Sequence, residues 1–448
     1  MPKKKTALTI EERLQQALVP AEEQPYEVPE NWVWVRLGAV CGFERGITFP
    51  SSAKQNERDD ENIPCLRTAN VQDELELNDL IYVNKKYYKN NSDKLIREND
   101  IIMSTANSRE LVGKTSFVYK VDYPMIFGGF VMALRANKLL SKFLFYYLRL
   151  EFLLGRFRGE STQTTNIANI SSSVLGEYIF PLPPLSEQQR IVERIGELFA
   201  KLDEAKERLQ EVADSFAVRK AAILHKAFTG ELTKQWRREN GVSDESWEEK
   251  KLVEITVNHD SQRIPLSKSQ RENMSHIYDY YGASGIIDKV DDYIFEGKKL
   301  LIGEDGANLV TRSKDIAFIA DGKYWVNNHA HILDVKDTVL IMYLCHYINN
   351  MDLIPYVTGS AQPKLTQAKM NNIKILLPTL PEQHEIVRLI DNLLARERAA
   401  QQAAEQALAS IDLMKKSILA RAFRGELGTN KASEASALEL LRQVLAEN

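Results

Sequence analysis

The chain has 448 residues, 44% of them apolar and 27% charged, with a formal net charge of −4. That is more chain than one hydrophobic core usually holds, so two to four domains are expected, and the composition excludes bulk disorder. The acidic balance argues against a protein that coats nucleic acid indiscriminately, while leaving room for local basic surfaces.

Residues 1–30 form an N-terminal extension: Met1 to Lys5 is basic, and Thr6 to Ala17 has a polar–apolar helical pattern. It lacks an apolar core of signal-peptide length, and no later window reaches a membrane-spanning run, so a cytoplasmic location is expected. The first globular block, 31–182, is rich in β-branched and aromatic runs such as Asp79 to Asn84 and Thr115 to Tyr119, and reads as mixed β and α. Within it, Ser141 to Leu154 reads as a helix, and Gly159 to Asn169 has the composition of an ordered polar loop. Cys41, Cys65 and Cys345 are too few and too far apart for a disulfide framework or a zinc site, and read as buried thiols.

Residues 183–232 are the most informative part of the chain, because they occur again at 378–427. At a constant offset of 195, without a gap, 19 of the 50 positions are identical. Both copies open on Pro-x-Leu-x-Glu-Gln, from Pro183 and Pro378, and close on Ala-Phe-x-Gly-Glu-Leu, at Leu232 and Leu427. A repeat of this length means two copies of one unit with separate sequence between them. After a linker at 233–246, the block 247–377 repeats the plan of the first block in shorter form. Trp32, Leu37 and Val40 recur as Trp247, Leu252 and Ile255 at an offset of 215, so the first block is longer by about 20 residues. A C-terminal helical tail, 428–448, completes the chain.

The repeated segments are helices with heptad seams. In the first copy Ile191, Ile195, Leu198, Leu202, Ala205, Leu209, Val212, Phe216 and Ile223 fall at alternating steps of four and three, with Arg219 as the exception. In the second, Ile386, Ile390, Leu393, Ala400, Ala404, Ala407, Ile411, Met414 and Ile418 lie on the same seam, with Glu397 as the exception. Ser186 is the expected N-cap of the first copy, Glu187 and Glu382 fall in the dipole-favoured first turns, and Gly230 and Gly425 mark the ends. Two such helices pack most simply antiparallel, with Leu209 and Val212 near Ala400 and Ala404, so that large residues meet small ones. At about 1.5 Å per residue each is about 60 Å long, enough to hold two domains apart.

Enzyme signatures fail on spacing. Gly113, Lys114 and Thr115 resemble the end of a phosphate-binding loop, but Ser108 stands where that motif needs glycine. The double proline Pro183-Pro184 opens a helix and is not part of a methyltransferase motif. His329 and His331 lack a third ligand and read as strand-alternating or hydrogen-bonding groups, and Glu304 and Asp305 are explained by turn formation.

Two unlike globular blocks, each followed by a copied helix with these opening and closing phrases, resemble the specificity subunit of type I restriction-modification enzymes. The resemblance covers nearly the whole chain. Further phrases carry it: Arg45 to Thr48, Leu66 to Gln72 and Gly159 to Ile167 in the first half, Gly303 to Asn308 and Thr358 to Leu365 in the second. It implies an α+β fold in which two mixed α/β target recognition domains are joined by two long antiparallel coiled-coil helices in a pseudo-twofold repeat. Each domain would read one half of a bipartite site on double-stranded DNA. The helices would set the spacing and dock two modification (methyltransferase) subunits, which carry S-adenosylmethionine and methylate adenine. Restriction/translocase subunits would use ATP and Mg. The chain itself would be non-catalytic and bind no cofactor or metal. A protein-binding scaffold and a DNA-modifying enzyme with an unrecognised site are the other classes.

Base edges are read by Arg, Lys, Asn and Gln, and phosphates are held by Lys, Arg, Ser and backbone amides. Candidates in glycine-punctuated phrases of the first domain are Arg45, Thr48, Arg67, Asn70, Gln72, Asn107, Arg109 and Lys114. In the second they are Arg263, Ser284, Asn308, Arg312, Asn327, Gln362 and Lys364. Solvated loops and turn-forming side chains account for about half of such residues. Lys85, Lys86, Lys89, Arg156 and Arg158 read as general phosphate attraction or a solvated face.

Overall fold

The computed structural model describes residues 8–89, 91–164, 167–272, 274, 277–359 and 361–447, without the side chains of 162–164. The basic start, Thr6 and Ala7, Thr165 and Asn166 of the polar run, and Ser360 lie outside the described residues. The chain divides into two compact units, 1–208 with 407–448 and 209–406. Each unit therefore contains one globular domain, the first part of one repeated helix and the last part of the other.

The two domains are built alike. In unit 1 an antiparallel four-stranded sheet runs in the order Cys41–Arg45, Val131–Ala136, Ile101–Ser104, Thr115–Phe117. In unit 2 the same order is made by Thr256–Asn258, Ala330–Val335, Lys299–Gly303 and Ala317–Ala320. A two-stranded ribbon joins the entry of each domain to its exit, pairing Val33 with Leu182 and Glu248 with Leu377. Both central strands are buried over their first four residues, and a helix covers one face of each sheet, Ser141–Leu153 and Ile341–Asn350. A second sheet in each domain contains a parallel pair, Cys65 opposite Ile126 and Tyr280 opposite Trp325. The offset between these equivalents is 215 for Cys65 and Tyr280 but 199 for Ile126 and Trp325. Most of the first domain's extra length is the connection between Leu66 and Ile81, where the second domain has a tight hairpin between Gly282 and Gly285.

The helical phrases are explained by contacts that each unit makes separately. In unit 1, Glu187 is fully buried and accepts from Trp32 Nε1 at 2.7 Å and from Asn430 Nδ2 at 2.8 Å. In unit 2, Glu382 accepts from Trp247 Nε1 at 3.0 Å, Thr233 Oγ1 at 2.6 Å and Arg237 Nη1 at 2.6 Å. The neighbouring glutamines cap the domain helices: Gln188 Oε1 takes the amide of Leu140 at 2.9 Å, and Gln383 Oε1 that of Leu340 at 2.7 Å. At the closing phrase, Phe423 packs against Phe143 and Tyr147 at 5.0 and 5.1 Å, and Phe228 against Tyr343 and Tyr347 at 5.7 and 5.1 Å. Gly230 and Gly425 follow in left-handed conformation, at φ 76° and 74°. The last part of one helix thus lies against the domain that feeds the first part of the other, and the pairing inside each unit is antiparallel.

Several expectations are corrected. Ser186 does not cap the first helix, which starts at Leu185 with the Pro184 carbonyl accepting from the Glu187 amide at 2.9 Å. That helix is interrupted at Ser215, giving Leu185–Asp214 and Phe216–Phe228, while the second is continuous over Leu380–Ala422. Ile191, Ile195, Ile386, Ile390 and Ile411 are buried; Leu198, Leu202, Leu209, Phe216, Ile223, Leu393 and Ile418 are half-buried. Val212, Met414 and Ala400 are exposed, and Leu394 and Leu419 are buried beside Leu393 and Ile418, which were expected to anchor the seam. A helix of 3.6 residues per turn drifts off a strict 3.5-residue pattern, so the buried stripe moves to neighbouring positions. The linker 233–246 holds a helix, Lys234–Asn240, whose Arg237 is buried on Glu382. The polar run 159–169 holds two short paired strands, Thr162–Thr164 and Ile167–Asn169. The N-terminal helix, Ile10–Ala17, is closed by a Thr9–Glu12 capping box and packs through Leu14 and Ala17 into the unit 1 core with the C-terminal helix Ala437–Glu447. Arg13 Nη1 donates to the Leu445 carbonyl at 2.9 Å. Among the described residues no helix is long and apolar enough to cross a membrane.

Candidate nucleic-acid interface

In each domain three chain segments meet at the end of the central sheet, and the backbone bonds are the same. The amide of Thr105 donates to the Phe130 carbonyl at 3.0 Å, and the Thr105 carbonyl accepts from Ile170 at 2.9 Å. In the second domain Glu304 donates to His329 at 2.8 Å and accepts from Leu365 at 2.7 Å. Just before the ring residues, Gly128 donates to Leu66 at 2.9 Å and Asn327 to Tyr281 at 3.0 Å. After Ile170 and Leu365 comes a side-chain cap in both, Ser171 and Thr366. Of the phrases singled out from the sequence, Leu66 in the first domain and Glu304 and Leu365 in the second are joined here by these bonds.

In the first domain the junction is concave. Arg45, Thr48, Lys54, Arg67, Gly129 and Phe130 are among the residues lining a cavity of about 450 Å³, and Arg45, Gly129 and Phe130 border a second, of about 190 Å³, with Asn169, Ser171 and Ser172. Gly46 is required: a Cβ there would lie 2.1 Å from the Gly128 carbonyl oxygen. Its amide donates to Val131 and that of Ile47 to Phe127, at 3.0 and 2.8 Å, so the Arg45–Thr48 segment is fixed to the turn that carries Phe130.

In the second domain the junction rests on a buried ionic network. Arg263 Nη1 donates to Glu304 Oε2 and to the Ala330 carbonyl, both at 2.7 Å, and Lys364 lies 3.1 Å from Glu304. His331 is buried, with Nδ1 2.6 Å from Asp260 and Nε2 2.7 Å from the Leu365 carbonyl. Burial pushes the Asp260 carboxyl up, but the hydrogen bond and charge of His331 and the Ile332 amide outweigh it and hold it below its ordinary value. Glu304 is likewise held low: burial raises it, and the hydrogen bond from Arg263, the charge of His331 and Lys364 prevail. Glu304 is therefore a structural anion rather than a turn former. His329 and His331 face different carboxylates, Asp305 and Asp260. Burial pushes the thiols of Cys41, Cys65 and Cys345 up to about 12, which makes them poor nucleophiles.

The candidate DNA-contacting residues divide on this geometry. Arg45, Thr48, Arg109, Ser284 and Gln362 are exposed. Gln72 is exposed and bonded to Lys114, and Lys364 reaches Glu304. Others are committed to the fold. Asn70 is buried, giving its amide to the carbonyls of Glu76 and Asp79, both at 2.9 Å. Arg67 holds Asp79 at 2.8 Å. Asn107 bonds Ser104 and the Ser108 amide, and Asn308 bonds the backbone of Lys314. Arg312 caps the end of the helix Ile341–Asn350, donating to the carbonyls of Ile348, Asn349 and Met351. Asn327 is buried and accepts from the His329 amide at 2.8 Å, and Arg263 belongs to the buried network. Of the basic residues read as general phosphate attraction or a solvated face, Arg156 pairs with buried Glu151 at 3.1 Å. Phe130 was not anticipated, because Gly129 to Leu134 and Asn328 to Leu333, equivalent at the offset of 199, share only their last residue.

A family model described as the type I restriction modification DNA specificity domain matches residues 29–213 and 244–407. The chain is 26% identical over 453 residues to the StySPI specificity subunit of Salmonella potsdam, covering 94% of this chain and 96% of that one. It is also 26% identical over 457 residues to the EcoKI specificity subunit of Escherichia coli K12, covering 94% and 96%. The crystal structure of the HsdS subunit from Thermoanaerobacter tengcongensis superposes with a TM-score of 0.63 at 19% identity, covering 90% of this chain and 99% of that one, which shows a common fold. A family model that matches both halves, and relatives that match end to end, lead to one conclusion: the chain belongs to the type I restriction modification DNA specificity family and is a specificity subunit.

Proposed function

We propose that each domain reads one half of a split word on double-stranded DNA, and that the chain presents this word to two modification subunits without carrying out chemistry itself. One observation carries the reading. The two domains share a single backbone framework and differ in the side chains that this framework presents. At the same junction stand Gly128, Gly129 and Phe130 in one domain and Asn327, Asn328 and His329 in the other. A shared frame with unlike tips is what reading two unlike half-words requires.

The non-catalytic part of the proposal rests on commitment. The strongest acid and base candidates, Asp260, Glu304 and His331, are bound to one another and to backbone carbonyls. S-adenosylmethionine would reside on the modification subunits, and ATP and Mg on the restriction/translocase subunit. Two equivalent docking positions are supported by the repeat: Val218 is 72% exposed and Leu413, 195 residues on, is 68% exposed. Large apolar side chains held outward at matching places suit two copies of one partner. The helices would then also space the half-words. Methylation mapped across the genome with and without this chain tests the reading. Loss of one split motif is expected; an unchanged map contradicts it.

A further inference from the structure

Phe130 and His329 occupy the same place in the two domains, one residue before the central strand, each with its carbonyl taken by the residue that follows the neighbouring strand, Thr105 or Glu304. Both rings are open to solvent, Phe130 at 62% and the His329 side chain at 51%. A single exposed phenylalanine is ordinary on a protein surface. Two rings at one structurally fixed position are a different observation, because the backbone that carries them is pinned on both sides. In the first domain that backbone is held by Leu66, Thr105 and the Arg45–Thr48 segment, so Phe130 projects from a rigid support beside Arg45, Thr48 and Lys54. In the second domain Asp305 fixes the other ring: its Oδ1 and Oδ2 lie 3.0 and 2.8 Å from His329 Nδ1. A carboxylate can only accept, so Nδ1 carries a proton, and among the described residues Nε2 has no hydrogen-bond partner.

We infer that Phe130 and His329 are the rings that each domain sets against DNA bases, Phe130 stacking at a base step and His329 offering Nε2 to a base edge. This rests on the reading that each domain binds half of a split DNA word. The chemistry follows from the surroundings. A rigid aromatic flanked by cations stacks on a base while the cations hold phosphates, and little ordering cost remains when the backbone is already fixed. A histidine oriented through one nitrogen presents the other in a defined direction, which suits hydrogen bonding better than intercalation. The two half-words would therefore be read by different means at equivalent places.

The test uses the full chain expressed with its own modification subunits, and methylation mapped across the genome for wild type, Phe130→Ala, Phe130→Tyr and His329→Ala. Phe130→Ala should lower methylation of the wild-type sites on the order of ten-fold, the size of one lost base–aromatic stack, and relax one half-word only. His329→Ala should relax the opposite half-word, and Phe130→Tyr, which keeps the ring, should stay close to wild type. A split wild-type motif with both alanine variants methylating the same sites equally would overturn the inference alone. So would relaxation of the same half by both, or a melting temperature more than about 3 °C lower, which would assign the rings a packing role. A wild-type map with no split motif would instead overturn the half-word reading, and the inference with it.

Discussion

Arg219 and Glu397, the two residues that interrupt the apolar series of the repeated helices, are bonded to each other, with Nε donating to Oε2 at 2.6 Å. In unit 1 Lys415 reaches Asp203 at 2.5 Å with the same antiparallel sense. A charged residue on a seam fixes register, because any slip strands it against apolar neighbours. Arg219→Leu or Glu397→Leu alone should each cost on the order of 1–2 kcal/mol, since both groups are only partly buried. The double replacement should recover most of that loss. Thermal melting of the three variants checks this, and additive losses would contradict the pairing.

The closing phrases give an unequal pair. Phe423 is fully buried among Phe143 and Tyr147, whereas Phe228, at the equivalent place in unit 2, is half-buried. Phe423→Ala should cost about 3–5 kcal/mol and Phe228→Ala distinctly less. Equal losses in denaturant melts would show that burial does not set the difference.

How much of this was legible in the sequence follows from which contacts are made twice. The Glu-Gln and Ala-Phe phrases stood out because Glu187 and Glu382, Gln188 and Gln383, Phe228 and Phe423 do the same work in both units, and repetition is visible without a structure. The antiparallel sense was legible from the seams, but the residues on them were not, since the stripe drifts to Leu394 and Leu419. The interface was harder. Arg263 and Arg312 have the chemistry of DNA readers, yet distant carbonyls and carboxylates claim them, and nothing local announces that. Strands of three residues, such as Ile167–Asn169, are too short to show alternation, and so the polar run read as a loop.

Acid should unsettle the second domain first. Asp260 and Glu304 are held below ordinary values of 3.8 and 4.5, so the stability they contribute is present above those values and is lost as pH falls through their lower folded-state values. Glu151 in the first domain has the opposite sign. Burial, opposed by the bonds from Tyr178 and Arg156, holds it above 4.5, so its contribution is present below that value and lost as pH rises through the higher folded-state value. Limited proteolysis at pH 7 and about pH 3.5 should show cleavage within 247–377 appearing before cleavage within 31–182. The reverse order would contradict the assignment.

Val218 and Leu413 give a direct test of two-fold docking. Val218→Asp or Leu413→Asp should leave melting within about 0.5 kcal/mol of wild type, since both positions are exposed. In the complex, native mass spectrometry should show each variant retaining one modification subunit and the double variant none. Full retention of both subunits by the double variant would place the docking surface elsewhere.

The central claim is that two domains on a shared frame each read their own half of a split word. The most direct measurement replaces residues 31–182 with the corresponding domain of another specificity subunit, keeps both repeated helices, and maps methylation across the genome. The account predicts a new motif in which one half-word changes while the other half-word and the gap between them stay as in wild type. A motif changed in both halves, from a protein whose melting shows the frame intact, would contradict it.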